Sequence, residues 1–349
     1  MVDGLAGRSF TRTCPPRHAS AASGRVLVSR TAHNQRSTRV ASMGTIMDRE
    51  GRPLEEMTVL LVTGPSGNVG EELVDLLDTR YPHTWRVGSR HPERWSAALS
   101  AEAVRLDFFD RSTWTPALDG VDALFLLFPL PGNRAAREAI VPFLHAAERA
   151  GCRHVVYVSV FGADRARFIP HHTVEAALRD AGMSATVLRC SFFMQNLHRA
   201  ISTHGVDIAD AGELFIPAGR GKTTFIDARD AAEVAATVLT DPDPHRDVVY
   251  HLTGPTPLTM DDVAAELTAT LGRPIRYVNP GLVRFAVRLR GRGVGWDTIG
   301  FMSAVYTLTR LGQNQPVTDD VRRLLGRPPR TLHEFLVDAA WRWRDRAWT

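Results

Sequence analysis

At 349 residues, 44% hydrophobic and 23% charged, the chain has the make-up of a globular protein of one or two domains, and it contains no run of 18 apolar residues that would span a membrane. Its formal charge of +4 resides in residues 1–56, where nine arginines face five acids; the remaining 33 basic and 33 acidic groups balance, which removes any bulk attraction of the folded part for nucleic acid. Three scattered cysteines, Cys14, Cys152 and Cys190, suit neither a disulfide framework nor a metal cluster and fit a reduced, cytoplasmic protein.

Residues 1–56 are rich in Ser, Thr, Arg, Gly and Ala and have no sustained apolar period, so they are expected to form a disordered leader, transit-peptide-like or dispensable. Met43, Met47 and Met57 all offer later starts. From Met57 short apolar runs alternate with amphipathic helical segments. Thr58–Val62, Trp85–Val87, Ala103–Leu106, Ala123–Phe128 and His154–Val158 are predicted strands, and the near-continuous apolarity of the last two predicts burial on both faces, as in a parallel sheet. Val69, Leu73, Leu76 and Leu77 line the first intervening helix; Ala136, Ile140, Leu144 and Ala147 line the fourth, which stops near Gly151. Five such alternations predict an α/β fold, a doubly wound parallel Rossmann sheet with right-handed crossovers.

Further along, Thr186–Arg189 and Val248–Leu252 read as strands on either side of a helix over Ala231–Leu239, for which Asp230 is the expected N-cap. Thr259 with Asp262, and Thr331 with Glu334, open later helices. The expected organisation is the leader 1–56, an NAD(P)-binding domain of residues 57–190 and about 223–254, and a smaller, mainly helical C-terminal substrate-side domain of about 191–222 and 255–349.

The segment Gly64-Pro-Ser66-Gly67-Asn68-Val69-Gly70 leads from an apolar strand into a helix. Gly64 permits the tight turn, Gly67 lets the backbone approach a pyrophosphate, and Gly70 allows the helix to pack closely on the strand, while the helix N-terminus favours the anion. Set between strand and helix, the spacing predicts a dinucleotide site. An NAD site places an Asp or Glu about 20 residues further on, to bind the ribose hydroxyls. Here Ser89 and Arg90 stand there, a hydroxyl and a guanidinium suited to a 2′-phosphate, which predicts NADP(H) in preference to NAD(H). Asp107, beside Phe108, is placed either to accept from the adenine amine or to cap its own turn. Phe128 and Pro129 end the fourth strand at the edge where ligands of such sheets sit.

Short-chain dehydrogenases pair a Ser with a Tyr-x-x-x-Lys. Ser159 occupies the Ser position, but downstream stand His171, His172 and Glu175, and Lys222 is the only lysine in the chain. That acid–base pair cannot be assembled, which excludes alcohol dehydrogenation by it and argues against a nucleotide-sugar epimerase.

Taken together, Gly64–Gly70, His171-x-x-x-Glu175, Leu188-Arg189-Cys-Ser-Phe-Phe193-Met-Gln-Asn196 and Gly219-x-Gly221-Lys-Thr-Thr-Phe225-Ile-Asp227-x-x-Asp230 resemble the NmrA-like family over roughly Met57 to the C-terminus. These are atypical short-chain dehydrogenase relatives that include NADPH-dependent quinone and triphenylmethane-dye reductases and redox-sensing regulators. The resemblance implies NADP(H) across the sheet edge with the nicotinamide facing the smaller domain. It departs from the family at Cys190, where members commonly carry Pro. In isoflavone-reductase-like relatives the position of His171 is often a lysine near the nicotinamide ribose. His171 would bind a ribose hydroxyl or, with a pKa near neutrality, donate a proton, whereas its structural alternative is a helix cap. Glu175 would support the helix or orient His171, and Phe192 and Phe193 would line a flat substrate or pack the core. Asn196 is expected to bond backbone, Lys222 to be solvated, Asp227 and Asp230 to serve turns and caps, and Arg284, Arg288, Arg290 and Arg292 to form a lid or a solvated face.

The resulting expectation is an oxidoreductase, monomeric or homodimeric, passing hydride from NADPH to an electron-poor small molecule such as a quinone or conjugated carbonyl. Ser159 and His171 are the candidate catalytic groups, and both also belong to the expected cofactor site. The alternative is a non-catalytic NADP(H) sensor.

Overall fold

The computed structural model describes residues 59–80, 85–96, 99–128, 132–198 and 204–344. The expected leader, Thr58 at the head of the first strand, and Pro129 lie outside the described residues.

The described residues open with β1 (Leu60–Thr63), α1 (Asn68–Arg80), β2 (Trp85–Ser89), β3 (Glu102–Arg105), α2 (Trp114–Leu118) and β4 (Ala123–Leu127). A short α3 (Asn133–Ala135) passes through a π-helical turn, Ala136–Ile140, into α4 (Val141–Arg149). The widened turn immediately precedes Pro142, which has no N–H to give to the helix ladder. Next come β5 (His154–Val160), α5 (Pro170–Asp180), β6 (Ser184–Cys190) and β7 (Phe192–Phe193). After α6 (His204–Val206) follow β8 (Glu213–Phe215), β9 (Thr223–Ile226), α7 (Ala228–Thr240), β10 (Val248–Leu252) and β11 (Pro257–Leu258). The C-terminal part holds α8 (Met260–Leu271), β12 (Arg276–Val278), α9 (Leu282–Gly291), α10 (Trp296–Arg310), α11 (Asp320–Leu325), α12 (Leu332–Ala339) and α13 (Trp341–Arg344).

Seven strands form one sheet in the order β10-β6-β5-β4-β1-β2-β3, and all of its pairings are parallel. The order reverses between β1 and β4, the switch point at which doubly wound sheets bind ligands. Strand alternation sorts the apolar residues between two cores. Leu60, Val62, Phe125, Val156 and Val158 point to the side of α1 and α7, and Leu61, Leu124, Leu126, Val155 and Tyr157 to the side of α4 and α5. Alanines at 228, 231, 232, 235 and 236 are all buried and give α7 the slim face with which it packs against α1. A third core, containing Phe215, Phe285, Tyr306, Phe335 and Leu336, lies in the C-terminal part under two small sheets, β11-β9-β7 and β12-β8. These two- to four-residue strands escape a periodicity search because they are shorter than its window.

Several expectations move. The connection from β2 to β3 carries a single 3₁₀ turn, Pro92–Arg94, in place of an α-helix among the described residues. The cap of α7 is Asp227, whose side chain accepts from the Arg229 N–H; Asp230 is the third residue of the helix and has another task. Cys190 continues β6 without a break, paired with Leu252 of β10. Thr259 with Asp262 and Thr331 with Glu334 form complete capping boxes. No helix among the described residues is long and apolar enough to cross a membrane.

Candidate active site

The glycine turn is fastened to the sheet before it begins. Thr63, fully buried, donates its hydroxyl proton to the Phe125 carbonyl (3.0 Å) and accepts the Leu127 N–H (3.1 Å), stitching the end of β1 to β4. Gly64 adopts φ of +62°, a left-handed conformation that glycine reaches without steric cost, and its carbonyl accepts the Gly67 N–H at 2.9 Å. A Cβ on Gly70 would stand 2.1 Å from the Gly64 carbonyl oxygen, and one on Gly67 would stand 2.3 Å from Leu127 Cδ2. The helix N-terminus is thus drawn tightly onto the turn, with Ser66, Asn68 and Val69 filling the intervening positions. Asn68 donates from Nδ2 to Asn196 Oδ1 at 2.8 Å, so Asn196 braces the turn through a side chain as well as lying in the loop after β7.

At the carboxyl end of β2, Ser89 Oγ accepts the His91 N–H at 3.1 Å, which leaves its own proton free to donate. Arg90 is exposed, and among the described residues no hydrogen bond or ion pair holds it. Asp107 closes its turn by accepting the Phe109 N–H on Oδ1 (3.0 Å), while its carbonyl accepts from Trp114 Nε1 (3.1 Å). Phe108 packs edge-on against Phe143, with ring centroids 4.9 Å apart. Turn, Ser89-Arg90 and Asp107 all lie at the carboxyl edge of the sheet, where a pyrophosphate, ribose phosphate and adenine can be met in sequence. The donor set fits a dinucleotide phosphate.

Across the switch point, β5 and α5 bring four polar side chains together. Tyr157 Oη and His171 Nδ1 lie 2.7 Å apart, and the His171 ring packs among Phe128 (5.1 Å), Phe301 of α10 (5.7 Å) and Tyr157 (5.9 Å). Burial drives the His171 pKa down to about 3, so the ring is neutral in the folded protein, and the expectation of a near-neutral proton donor is corrected on that physical ground. Nor is His171 the cap of its helix, since α5 starts at Pro170 after Ile169. Ser159, fully buried, donates to Glu175 Oε1 at 2.6 Å. Glu175 is also held in a two-pronged ion pair by Arg189, through Nε (3.1 Å) and Nη2 (2.7 Å). Glu175 therefore does not orient His171: its two oxygens are spent on Ser159 and Arg189. Arg189 reaches on to Asp164 (3.5 Å), tying the loop after β5 to β6.

The remaining candidates divide between packing and bracing. Phe192 lies against Phe225 (5.0 Å) on the side of the third core, while Phe193 packs on the α1–α7 core, each half-buried. Gln195, which sequence reasoning passed over, donates to Asp227 (2.8 Å) and accepts the Ala228 N–H (2.9 Å), joining this segment to α7. Asp230, fully buried, accepts from Arg327 Nη2 (2.8 Å) and the Arg330 N–H (2.7 Å), so it anchors the C-terminal segment. Arg288 and Arg292 pair with buried Asp207 at 3.0 and 2.6 Å, and Arg288 also covers the Phe215 ring at 3.4 Å. Arg288 is thus half-buried in an ion cluster, which corrects the expectation of a solvated face for it, while Arg292 stays exposed and caps the same carboxylate from the solvent side. Arg284 approaches the same ring at 5.5 Å, Arg290 is exposed, and Lys222 is solvent-exposed as expected. Cys152, by contrast, is buried with its thiol pushed up to about 11 by desolvation, an inert packing residue.

The family model of the NmrA-like family matches residues 56–286. The chain belongs to the NmrA-like family. It is 33% identical to the NAD(P)H azoreductase of Xenophilus azovorans, an alignment covering 79% of this chain and 96% of the relative. Among solved structures, the NADPH-dependent quinone oxidoreductase of Escherichia coli complexed with NADPH is 26% identical, with a TM-score of 0.68 over 81% of this chain and 99% of that one. The triphenylmethane reductase of Citrobacter sp., complexed with NADP(H), shares the fold at 23% identity and a TM-score of 0.68, covering 81% of this chain and 99% of its own.

Proposed function

We propose that this NmrA-like protein is an NADPH-dependent reductase of electron-poor small molecules, quinones or conjugated carbonyls among them, with residues 191–222 and 255–349 serving the substrate side. The observation that carries the reading is the glycine turn braced between β1 and α1, with Arg90, exposed just past β2, unpaired among the described residues. Backbone N–H groups of the Gly64–Gly70 turn would hold the pyrophosphate, and Ser89 with Arg90 the 2′-phosphate. Asp107 would meet the adenine amine with the oxygen not engaged by Phe109. The nicotinamide, when bound, supplies hydride. The chain's own residues exclude water and orient: Phe128 and Phe301 wall the edge, while the Ser159–Glu175–Arg189 network fixes β5, α5 and β6 behind it. Among the described residues at this edge, His171 is held neutral by burial and is not poised to deliver a proton at neutral pH. That suits an acceptor whose reduced form is a stabilised anion able to take its proton from water.

NADPH oxidation by the full chain, followed with a panel of quinones and conjugated carbonyls, tests this. Turnover with NADPH outrunning NADH is expected. Tight, redox-selective NADP(H) binding with no turnover across the panel would sink the reductase and favour a sensor.

A further inference from the structure

The pairing of Tyr157 with His171 has a consequence for where the imidazole proton sits. Tyr157 is fully buried, and among the described residues its hydroxyl has a single partner, His171 Nδ1 at 2.7 Å. Were Nδ1 the donor, the phenol proton would be left in the apolar core between β5 and α5 with no acceptor. Leaving a buried donor unsatisfied disfavours that arrangement about tenfold or more. When the phenol donates, its proton and Nδ1 are both satisfied, Nδ1 is a bare acceptor, and the ring proton must sit on Nε2.

We infer that Tyr157 is a positioning residue that locks His171 as a neutral Nε2–H tautomer, so that the ring offers a hydrogen bond, and not a proton, to an oxygen lone pair of the molecule bound at this edge. Nε2 has no partner among the described residues, and the ring packs against both Phe128, just past β4, and Phe301 of α10. The charged groups around it cancel or stand aside. Glu175, one turn along α5, is matched by Arg189 of β6, and Arg189 also meets Asp164 of the loop after β5. Neighbouring His172 is engaged with the Ala163 carbonyl at 2.9 Å, and Asp297, one turn before Phe301 on α10, lies against Gly132. Among the described residues no unpaired carboxylate faces the ring to hold a second proton on it, in keeping with the drop of its pKa to about 3 through burial alone. The identity of the bound oxygen rests on the reductase reading; the tautomer does not.

Imidazole-¹⁵N NMR of the full chain without cofactor reads the tautomer directly. His171 is assigned among the 13 histidines by comparison with His171→Gln. The expected result is an Nε2 signal in the protonated range and an Nδ1 signal in the bare range, unchanged between about pH 5 and pH 8. Tyr157→Phe should produce a mixture of tautomers and lower kcat about tenfold with little change in KM for NADPH. His171→Gln, which keeps an N–H donor, should retain more activity than His171→Leu. A protonated Nδ1, a His171 titration within that pH range, or a Tyr157→Phe protein with wild-type tautomer would overturn the inference. Absence of turnover in every variant and in the wild type would instead count against the reductase reading and leave the NMR result standing.

Discussion

The glycine turn and the pocket around His171 face each other across one edge of the sheet, yet they are made differently. The turn is backbone. Its shape depends on the absence of Cβ atoms at Gly64, Gly67 and Gly70, and a single side chain, Thr63, pins it to β4. The pocket is side chain: Tyr157, Ser159, His171, Glu175 and Arg189 come from three elements and pair across them, Tyr157 with His171 and Glu175 with both Ser159 and Arg189. A backbone cradle depends on how closely two elements approach. A buried polar network depends on every partner being present, and losing one strands the rest.

The largest effect should come from breaking that network. Glu175→Leu leaves the buried Arg189 guanidinium with Asp164 as its remaining ion-pair partner, 3.5 Å away, beside His251, and should cost about 3–5 kcal/mol in urea unfolding. A loss below about 1 kcal/mol would mean that the pair behaves as a solvated surface pair, and would erase the distinction drawn here.

Acid probes buried imidazoles in three places: His154 at the head of β5, His171 at the site, and His204 against Tyr306. Burial lowers the pKa of His154 to about 4 and those of His171 and His204 to about 3, from an ordinary 6.5. The unfolded chain therefore binds more protons than the folded one below pH 6.5. Their contribution to stability is complete above that pH and is lost as pH falls through about 4 and 3. Each histidine adds a slope of up to about 1.4 kcal/mol per pH unit. Urea midpoints measured down a pH series should fall over this window, and a flat profile would show these rings to be solvated.

A smaller effect is expected at the cradle. Gly70→Ala drives a Cβ to within 2.1 Å of the Gly64 backbone carbonyl, which has little room to yield, and should cost about 1–3 kcal/mol together with much of the NADPH affinity. Gly67→Ala meets the mobile end of Leu127 at 2.3 Å and should be milder. Equal penalties in calorimetry and NADPH titration would contradict the view that helix-on-strand approach is what the turn requires.

The same contrast governs what the sequence reveals. Strand parity in Leu60–Thr63 and Ala123–Leu127, the glycine spacing and the two capping boxes are local patterns, and each is legible within a dozen residues. The Glu175–Arg189 pair joins residues 14 apart on different elements, Asn68 meets Asn196 across 128 residues, and Asp230 finds Arg330 across 100. No periodicity announces such partners, so the sequence alone points Glu175 to its own helix or to His171, its neighbour one turn away, and Asp230 to the cap that Asp227 fills. A signal did exist for Tyr157: it shares strand parity with Ser159, and so faces the same helix. The neutral state of His171 follows from burial, which a sequence shows only once its neighbours in space are known.

The central claim, that the edge beside Gly64 is built for a 2′-phosphorylated dinucleotide, is tested most directly by titrating the full chain with NADPH and NADH, as wild type and as Arg90→Glu. The wild type should prefer NADPH by about 10- to 100-fold, the worth of charge-assisted bonds to one phosphate, and Arg90→Glu should abolish that preference while leaving NADH affinity nearly unchanged. A preference for NADPH that survives Arg90→Glu intact would contradict the account.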